Sequence, residues 1–435
     1  MERFALSRMK EWKENENRKP LIIRGARQVG KTWIMKTFGQ QYFEKTAYVN
    51  FDNNARMKQV FEGDLDIERL VLAISAETGV SIEAENTLII FDEVQEVPKA
   101  LTSLKYFHEN APQYAIVAAG SLLGVALHQG TSFPVGKVDF LDLYPLNFRE
   151  FLCAMGEKQF VSMLDSCDTQ MVTVFKTKYI ERLREYYFVG GMPEVVKDFS
   201  EKKDYNRVRA IQKNLINYYQ QDFSKHAEIK LVPRLNLVWN SIPMQLAKEN
   251  KKYIYGQVRE GSRAKDFELA IQWLLDCGLI HKVQRIQKPD LPLKAYIDFD
   301  AFKLFLVDIG LLIAMTDLDA KVIIEGNKIF TEFKGALTEQ YILQQLISDV
   351  GVIPYYYSTQ NSKGEIDFLV QGKTSVIPIE VKAEENLRAK SLRAFCDKYN
   401  PDYAVRTSMS DYREQDWMTN IPLYNIDRIT TFTSR

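Results

Sequence analysis

Cysteine and histidine are scarce in this sequence of 435 residues, which contains four of each. The cysteines are Cys153, Cys167, Cys277 and Cys396, and no two of them form a C-x-x-C pair. The histidines are equally dispersed along the chain. These spacings argue against a zinc-binding motif and against a framework of disulfides, and they are typical of a protein kept reduced.

Net charge and long apolar runs are also missing. Basic and acidic residues both number 57, so the overall charge gives no sign of a nucleic-acid or membrane partner. The first 19 residues are too polar for a signal peptide, and no apolar run is long enough to cross a bilayer. We therefore expect a cytoplasmic protein without a membrane partner, and the length suggests about two to four domains.

The segment Gly25–Thr32 reads G-x-x-x-x-G-K-T, which is the phosphate-binding loop of ATP- and GTP-using proteins. Its context fits the motif as well as its letters do. Leu21–Ile23 before it predicts a short buried strand, and Trp33–Phe38 after it predicts the first turns of a helix. Strand, loop and helix in this order predict a nucleotide-binding site.

Each residue type in this loop has a defined task. Gly25 and Gly30 let the backbone wrap the phosphates at angles that a side chain would forbid. Backbone N–H groups and the helix N-terminus then face the anion. Lys31 would reach the β- and γ-phosphates, and the Thr32 hydroxyl would hold Mg²⁺. The expected cofactors are therefore ATP and Mg²⁺.

A second apolar strand, Thr87–Phe91, ends in two acids. Asp92 would bind Mg²⁺, directly or through water, and Glu93 would polarise the water that attacks the γ-phosphate. Two polar residues at the ends of neighbouring strands are further candidates. Ser121 would sense the γ-phosphate and Asn50 would restrain Glu93, although an ordinary hydrogen bond at a strand end explains either residue equally well.

A C-terminal group of acids also suggests chemistry. Asp367 begins one predicted strand, and Glu380 and Lys382 lie two residues apart on the next, so the last two share one face. Glu339, on the preceding helix, could complete the cluster. Carboxylates beside a lysine form a Mg²⁺ site with a base or charge stabiliser, and the order helix, three strands, helix, strand is similar to the core of restriction-endonuclease-like nucleases.

The fold class predicted from these patterns is α/β, with four successive regions. Residues 1–151 alternate strands and helices, as in a parallel P-loop sheet, and residues 152–229 read as a helical lid. Residues 230–332 follow the order helix, helix, strand, turn, strand, which is typical of a winged-helix domain, and residues 333–435 form the nuclease-like unit. Leu269, Trp273 and Leu274 recur at helical spacing and are expected in the core.

Nucleic acid is a second expected partner, through the winged-helix and nuclease-like regions. Basic residues cluster before and at the start of the predicted recognition helix, where phosphate contacts would be made. A solvated basic face or a contact between domains explains the cluster equally well. The residues are Lys248, Lys251, Lys252, Arg259, Arg263 and Lys265.

Taken together, these motifs resemble a family of bacterial and archaeal AAA-type (AAA+ superfamily) ATP-binding proteins with a C-terminal domain of uncharacterised function. The resemblance covers nearly the whole chain. Besides the phosphate loop, the acidic strand and the C-terminal acids, it rests on Tyr144–Phe151, Gly190–Glu194, Gly261–Ala264, Phe302–Leu311 and Gly335–Glu339.

The resemblance implies an ATPase core, a winged-helix region and a nuclease-like end. A second copy of the chain, in a homo-oligomer, is a further candidate partner. Where the family carries Gly-Arg before its Pro-Leu-x-Phe run, this chain has Gly136-Lys137. A lysine lacks the planar fork of an arginine finger, which argues against fast hydrolysis between subunits. No other arginine is marked by its spacing as a finger.

Two functions remain open at this stage. The first is a Mg²⁺-dependent ATPase coupled to a C-terminal domain that binds or cleaves nucleic acid. Its catalytic residues would be Lys31 and Glu93 at one site, and Asp367, Glu380 and Lys382 at the other. The second is a nucleotide-switched regulatory ATPase that acts on a protein partner and carries an inactive nuclease fold, because a fold does not imply its chemistry.

Overall fold

The computed structural model describes residues 1–120, 133–166, 168–248, 251–325, 331–359, 364–385 and 389–434. These residues form two compact units. The first unit comprises Glu2–Tyr144 together with Asp276–Leu279, and the second comprises Met1, Pro145–Leu275 and Ile280–Arg435. None of the described helices is long and apolar enough to cross a membrane.

The first unit is built on a five-stranded parallel sheet with the strand order β2-β3-β4-β1-β5. The strands are β1 (Leu21–Arg24), β2 (Lys45–Asn50), β3 (Thr87–Asp92), β4 (Ala115–Ala119) and β5 (Asp139–Asp142). The helices are α1 (Ala5–Glu14), α2 (Lys31–Tyr42), α3 (Ala55–Glu62), α4 (Ile67–Thr78) and α5 (Pro98–Asn110).

The central strands of this sheet are buried along their whole length because both faces are covered. All six residues of β3 are buried, as are all five of β4. Since parallel strands end at the same edge of a sheet, their polar terminal residues are brought together there. In the register of β2 and β3, Asn50 lies opposite Asp92 at this edge.

The second unit begins with helices. They are α6 (Phe148–Ala154), α7 (Lys158–Asp165), α8 (Thr169–Val174), α9 (Lys176–Val189), α10 (Pro193–Lys202), α11 (Tyr205–His226), α12 (Val232–Leu246), α13 (Tyr255–Val258) and α14 (Ala264–Asp276). Later in the chain come α15 (Ile309–Met315), α16 (Ala320–Ile324), α17 (Thr331–Gln345), α18 (Lys390–Tyr399) and α19 (Thr430–Thr433). A π-helical turn, Leu346–Val350, continues α17.

An eight-stranded mixed sheet completes the second unit, in the order β12-β13-β11-β10-β9-β8-β6-β7. Its strands are β6 (Ile280–Ile286), β7 (Ile297–Leu306), β8 (Tyr355–Ser358), β9 (Glu365–Gln371), β10 (Val376–Val381), β11 (Val405–Ser408), β12 (Arg413–Glu414) and β13 (Thr419–Pro422). The hairpin β6–β7 joins the later strands because β6 pairs in parallel with β8.

One local expectation is wrong. Leu269 was expected in the core, but the residue is 70% exposed on α14, whereas Trp273 and Leu274 are buried. Leu269 shares the helical spacing of the other two residues, and spacing alone does not reveal how wide a face of the helix is covered.

The Gly-Gly-Met-Pro segment forms a tight crossing of backbones in the second unit. A Cβ atom at Gly190 would lie 2.2 Å from Oδ2 of Asp308, and one at Gly191 would lie 2.1 Å from the carbonyl oxygen of Leu146. The fully buried Asp308 accepts hydrogen bonds from the N–H groups of Gly191 and Leu311, at 2.6 Å and 3.1 Å. This motif therefore holds three distant segments together.

Candidate functional site

The phosphate loop connects β1 to α2 through a backbone that favours glycine. Gly25 has φ +149°, and a Cβ atom there would lie 2.1 Å from the carbonyl oxygen of Leu143. Gly30 has φ +96° at the residue that begins α2. Gln28 also adopts a positive φ, of 66°. The loop thus directs its N–H groups and the N-terminus of α2 toward one space, which is the arrangement that binds phosphate.

Lys31 lies buried at the start of α2 and folds back over its own loop. Its ammonium group donates hydrogen bonds to the carbonyl oxygens of Gly25 and Ala26, at 2.9 Å and 2.8 Å. Burial lowers the pKa of Lys31 to about 8, and the nearby carboxylates of Glu93 and Asp92 oppose that fall. The lysine is therefore held ready beside the loop, with weak neutral acceptors that a phosphate could replace.

Thr32 and Asp92 meet where the helix faces the end of β3. The Thr32 hydroxyl donates to Oδ2 of Asp92 at 2.7 Å, and the Tyr48 hydroxyl donates to the same oxygen at 2.9 Å. Burial raises the pKa of Tyr48 well above its usual range, and Asp92 raises it further. The sequence had not singled out Tyr48, although it lies two residues before Asn50 on β2 and so shares its face.

Glu93 follows Asp92 with φ +51°, a left-handed conformation that glutamate rarely adopts. Such backbone conformations concentrate at functional sites. Its Oε2 atom accepts a hydrogen bond from the side-chain amide of Gln95 at 2.7 Å. The side chain of Asn50, expected to restrain Glu93, instead accepts from the N–H of Asp52 at 2.9 Å, because it caps its own turn.

The residues of the first unit fit the Mg²⁺ ion that accompanies ATP. The hydroxyl of Thr32 and the carboxylate of Asp92 are oxygen donors, the kind that Mg²⁺ prefers, and they are already in contact. Mg²⁺ in such sites takes its remaining ligands from phosphates and water. Ser121, the expected γ-phosphate sensor, lies outside the described residues.

The C-terminal acids form a separate cluster in the second unit. Helix α17 is fixed against the end of β7 by glutamine side chains, since the Gln340 amide both donates to and accepts from the backbone of Leu306, at 2.7 Å and 3.0 Å. This anchoring turns the neighbouring Glu339, which is only 4% exposed, toward the sheet. Glu339 forms an ion pair with Lys251, and one of its oxygens lies 3.6 Å from Nζ of Lys303.

Lys303 has no exposed side-chain surface and joins two carboxylates. It pairs with Glu365 as well as with Glu339. Burial alone would lower the pKa of Lys303, but Glu339 and Glu365 raise it above its ordinary value. For the carboxyl group of Glu339 the two effects are reversed. Burial would raise its pKa, but the charges of Lys251 and Lys303 hold it below its ordinary value. The cluster is therefore ionic and internally paired.

Asp367 lies at the edge of this cluster. Its Oδ2 atom accepts a hydrogen bond from the N–H of Val381 at 2.7 Å, which ties β9 to β10. Burial and then the nearby Glu339 raise the pKa of Asp367 to about 8. Glu380, almost fully buried, pairs with Lys382 at 2.7 Å and accepts from the N–H of Leu392 at 3.2 Å. Each predicted catalytic residue here is thus engaged by its own chain.

These pairings do not fit a bound metal ion. In the part of the chain that the structure describes, no three His, Cys, Asp or Glu side chains are grouped so that they could hold one. The carboxylates have the right donor chemistry for Mg²⁺, but ammonium groups occupy the positions beside them. We therefore derive no metal-dependent step at the C-terminal cluster.

Several basic residues considered for catalysis or nucleic-acid binding are also engaged. Arg149 forms ion pairs with three aspartates, and Arg182 pairs with two glutamates. Lys137 pairs with Glu109 at 3.0 Å. Lys251, counted earlier in the basic cluster, turns inward to Glu339, whereas Arg259, Arg263 and Lys265 are exposed.

Three family models match successive parts of the chain. Residues 17–152 match the model of a family described as AAA domain. Residues 180–322 match one described as Domain of unknown function (DUF8612), and residues 334–426 match one described as Domain of unknown function (DUF4143). No curated protein matches the sequence.

Solved structures similar to the chain include three archaeal proteins. The Walker-type ATPase PABY2304 of Pyrococcus abyssi is 15% identical over 72% of this chain and 95% of its own, with a TM-score of 0.44. The ORC1 protein of Aeropyrum pernix, in complex with DNA, is 13% identical over 72% and 91%, with a TM-score of 0.27. Cdc6p of Pyrobaculum aerophilum is 10% identical over 72% and 92%, with a TM-score of 0.25. We draw no functional conclusion from scores this low.

The family match and the geometry of the phosphate loop agree on the first unit. It is an AAA-type P-loop domain, a class of domain that binds ATP, typically with Mg²⁺. The expectation of an AAA-type ATP-binding protein is confirmed at this level. The DUF4143 match carries no assigned chemistry.

Proposed function

We propose that this protein is a Mg²⁺-dependent ATPase of the AAA type that hydrolyses ATP slowly and works as a nucleotide switch. The observation that carries the proposal is the 2.7 Å hydrogen bond between Thr32 and Asp92 beside the buried Lys31. Gly25 and Gly30 shape the loop, and Lys31 binds the β- and γ-phosphates. Mg²⁺, held by Thr32 and Asp92, would neutralise phosphate charge, and Glu93 would orient the attacking water.

The proposal of slow hydrolysis rests on Arg149, Arg182 and Lys137, each of which is already paired within the described part of the chain. An arginine finger raises the rate of phosphoryl transfer by about 10³–10⁵-fold. Arg149 and Arg182 are already neutralised by ion pairs, and the position where the resembled family carries arginine is Lys137, itself paired with Glu109. If the protein assembles as a homo-oligomer, these side chains are poor candidates for the neighbouring site.

The test of this function separates binding from hydrolysis. Glu93→Gln keeps the size of the side chain but removes its charge, so we expect ATP to bind with wild-type affinity while turnover falls at least tenfold. Binding would be measured with a fluorescent ATP analogue and turnover by phosphate release. Glu96→Gln makes the same change at an exposed neighbour and is the matched control. A Glu93→Gln protein with unchanged turnover would contradict the role of Glu93.

For the second unit, we propose a nuclease-like fold that regulates a partner rather than cleaving nucleic acid. The order α17, β8, β9, β10, α18, β11, with β8 to β10 antiparallel and β11 parallel to β10, supports the fold. Glu339 is paired with two lysines and Glu380 with Lys382, which argues against cleavage of nucleic acid at this site. Carboxylates that are already paired with ammonium groups are poorly placed to hold the metal ion with which such sites activate water.

Cleavage of single- and double-stranded DNA and RNA with Mg²⁺ or Mn²⁺, with and without ATP, tests this part. We expect no cleavage from the wild-type protein and none from Asp367→Ala. Cleavage that is present in the wild type and lost in Asp367→Ala would establish instead an ATP-coupled nuclease.

DNA binding remains a second candidate because one observation favours it. Arg259, Arg263 and Lys265 are exposed just before and at the start of α14, in a winged-helix-like order of elements. Basic residues at such a helix make phosphate contacts. A triple change of these residues to glutamine should abolish binding to duplex DNA if this surface is used. Duplex DNA binding that is absent in the wild type in both nucleotide states would remove this candidate.

A further inference from the structure

We propose that Lys251 serves as the cation of the C-terminal acidic cluster and keeps divalent metal ions out of it. The cluster consists of Glu339, Glu365, Asp367, Lys251 and Lys303. The inference rests on the nuclease-like fold proposed above for its setting. Its test measures metal binding rather than cleavage, so the inference and that function can fail separately.

The position of Lys251 is set by the backbone that follows it. The N–H of Tyr253 donates to the carbonyl oxygen of Phe302 at 2.8 Å, so this segment runs alongside β7 next to Lys303. The side-chain amide of Gln245 holds the same segment at Ile254, with hydrogen bonds of 3.0 Å and 3.2 Å. These contacts place Lys251 beside Glu339, although the two residues are 88 positions apart in the sequence.

The two lysines differ in how deeply their side chains are buried and in how many carboxylates they pair with. Lys303 lies on β7 with 0% of its side chain exposed, is shared by Glu339 and Glu365, and lies 4.8 Å from the centre of the Tyr356 ring. Lys251 lies outside the described helices and strands, and 13% of its side chain is exposed. Among the described residues, Lys251 forms its ion pair with Glu339. Lys303 is therefore part of the core, and Lys251 is the removable cation.

The formal charges explain why removal of Lys251 would matter. The cluster combines three carboxyl groups with the ammonium groups of two lysines. Replacing Lys251 by a neutral residue makes the cluster more negative by one charge, which favours a divalent cation. The buried Oε2 atom of Glu339 accepts no hydrogen bond from the described residues, although it lies 3.6 Å from Nζ of Lys303, and it would offer a ligand. Carboxylate oxygens are the ligands that Mg²⁺ and Mn²⁺ prefer.

The test is a titration of the full-length protein with Mn²⁺, followed by electron paramagnetic resonance in the absence of nucleotide. Lys251→Met keeps the apolar stem and removes the charge. Lys252→Met, one residue along, is the matched control. We expect Lys251→Met to gain one Mn²⁺ site at least tenfold tighter than any in the wild type. That site should vanish in the double variant Lys251→Met/Asp367→Asn, and Lys252→Met should gain nothing.

Two results would overturn the inference. A Mn²⁺ site in the wild type that is lost in Asp367→Asn would mean that the cluster already holds a metal beside Lys251. A folded Lys251→Met protein without a new site would mean that Lys251 is not the excluding group. Lys251→Gln, which preserves a polar side chain of similar reach, decides the matter if the methionine variant does not fold, and its far-ultraviolet circular dichroism would establish that it does.

Discussion

Lys31 illustrates how a binding residue is held before its ligand arrives. Its ammonium group is buried and bonded to two carbonyl oxygens of its own loop, and burial lowers its pKa to about 8. An ammonium group kept in this way has lost part of its hydration. A phosphate that replaces the carbonyl oxygens therefore gains a charged partner without the full cost of removing water.

We predict that Lys31→Met weakens ATP binding by roughly ten- to a hundredfold, since hydrogen bonds to charged groups contribute about 1.5–3 kcal/mol each. The same change should not lower the thermal midpoint of the nucleotide-free protein, because it removes a buried charge. Isothermal titration and differential scanning fluorimetry measure the two effects. Lys58→Met, on the exposed face of α3, is the control, and equal ATP affinities for the two variants would contradict the assignment.

Tyr48 is the residue of this site that the sequence did not point to. Its hydroxyl and that of Thr32 both donate to one oxygen of Asp92 and so fix the direction of the carboxylate. A group that orients a metal ligand without touching the metal often changes metal affinity when it is removed. The role proposed for Tyr48 is therefore one of positioning.

We predict that Tyr48→Phe raises the Mg²⁺ concentration needed for half-maximal ATP binding several-fold, while ATP binding without Mg²⁺ stays close to wild type. Tyr114→Phe serves as the control, because Tyr114 precedes the first residue of β4 and so lies at the other edge of the sheet from Asp92. A purely structural role would weaken binding equally with and without Mg²⁺, so the ratio of the two affinities is the decisive readout.

At the scale of the elements, the glycine crossing explains a motif that the ATP site does not use. Gly190 and Gly191 touch Asp308 and Leu146 so closely that any side chain would displace backbone atoms. We predict that Gly191→Ala lowers the midpoint of urea unfolding by the equivalent of about 1–3 kcal/mol, the usual cost of overpacking. Gly335→Ala, in α17 with no atom near its Cβ position, should raise the midpoint instead, because alanine favours a helix. Similar shifts of the urea midpoint for both variants would contradict the claim that Gly191 lies too close to its neighbours for a side chain.

Elements with local signals at both ends could be predicted from the sequence. Helix α4, Ile67–Thr78, carries such signals, because the Asp66 side chain caps its first turn and Gly79 ends it in a left-handed conformation. Strand β1 begins at the predicted Leu21 and extends one residue beyond the predicted Ile23. Strand β5 was missed because it is a short edge strand in which two acids flank only two apolar residues, within a segment rich in proline and glycine.

The state of the C-terminal acids could not be predicted in the same way. The spacing of Glu380 and Lys382 on one strand correctly indicates that they meet. The residues that flank Glu339 and Lys251 in the sequence do not indicate their ion pair, because it depends on where two distant segments meet in the second unit. A pattern of acids therefore predicts that carboxylates converge, while the cations that neutralise them are known only from the fold.

At the scale of the whole molecule, the borders of the family models and those of the sheets do not coincide. Strands β6 and β7 lie within the segment matched by one model of unknown function. Strands β8 to β13 lie within the segment matched by the other. The hydrogen bonds between β6 and β8 join both segments into one eight-stranded sheet. A change in either segment can therefore reach the other through a shared ladder of backbone hydrogen bonds.

The net charge of the chain is zero, yet several carboxyl groups are buried, which makes stability depend on pH. Asp349 faces Asp427, Arg149, Glu150 and Asp165, and burial followed by repulsion from Asp427 raises its pKa to about 7. A carboxyl group whose pKa is higher in the folded protein contributes stability that is fully present below its unfolded value, near 3.8, and is lost as the pH rises through 7. Asp308, with a pKa raised to about 6 mainly by burial, acts in the same direction.

We predict that Asp349→Asn gains stability relative to the wild type between about pH 4 and pH 7 and keeps a constant advantage above that window. The shift of about three pKa units sets a ceiling of about 4 kcal/mol on the difference. Urea unfolding of both proteins at a series of pH values measures it. Because Asp308 titrates alike in both proteins, its contribution cancels, and the difference reports Asp349 together with its neighbour Asp427. Parallel stability curves would show instead that Arg149 neutralises Asp349 throughout, so that the repulsion from Asp427 has no effect on folding.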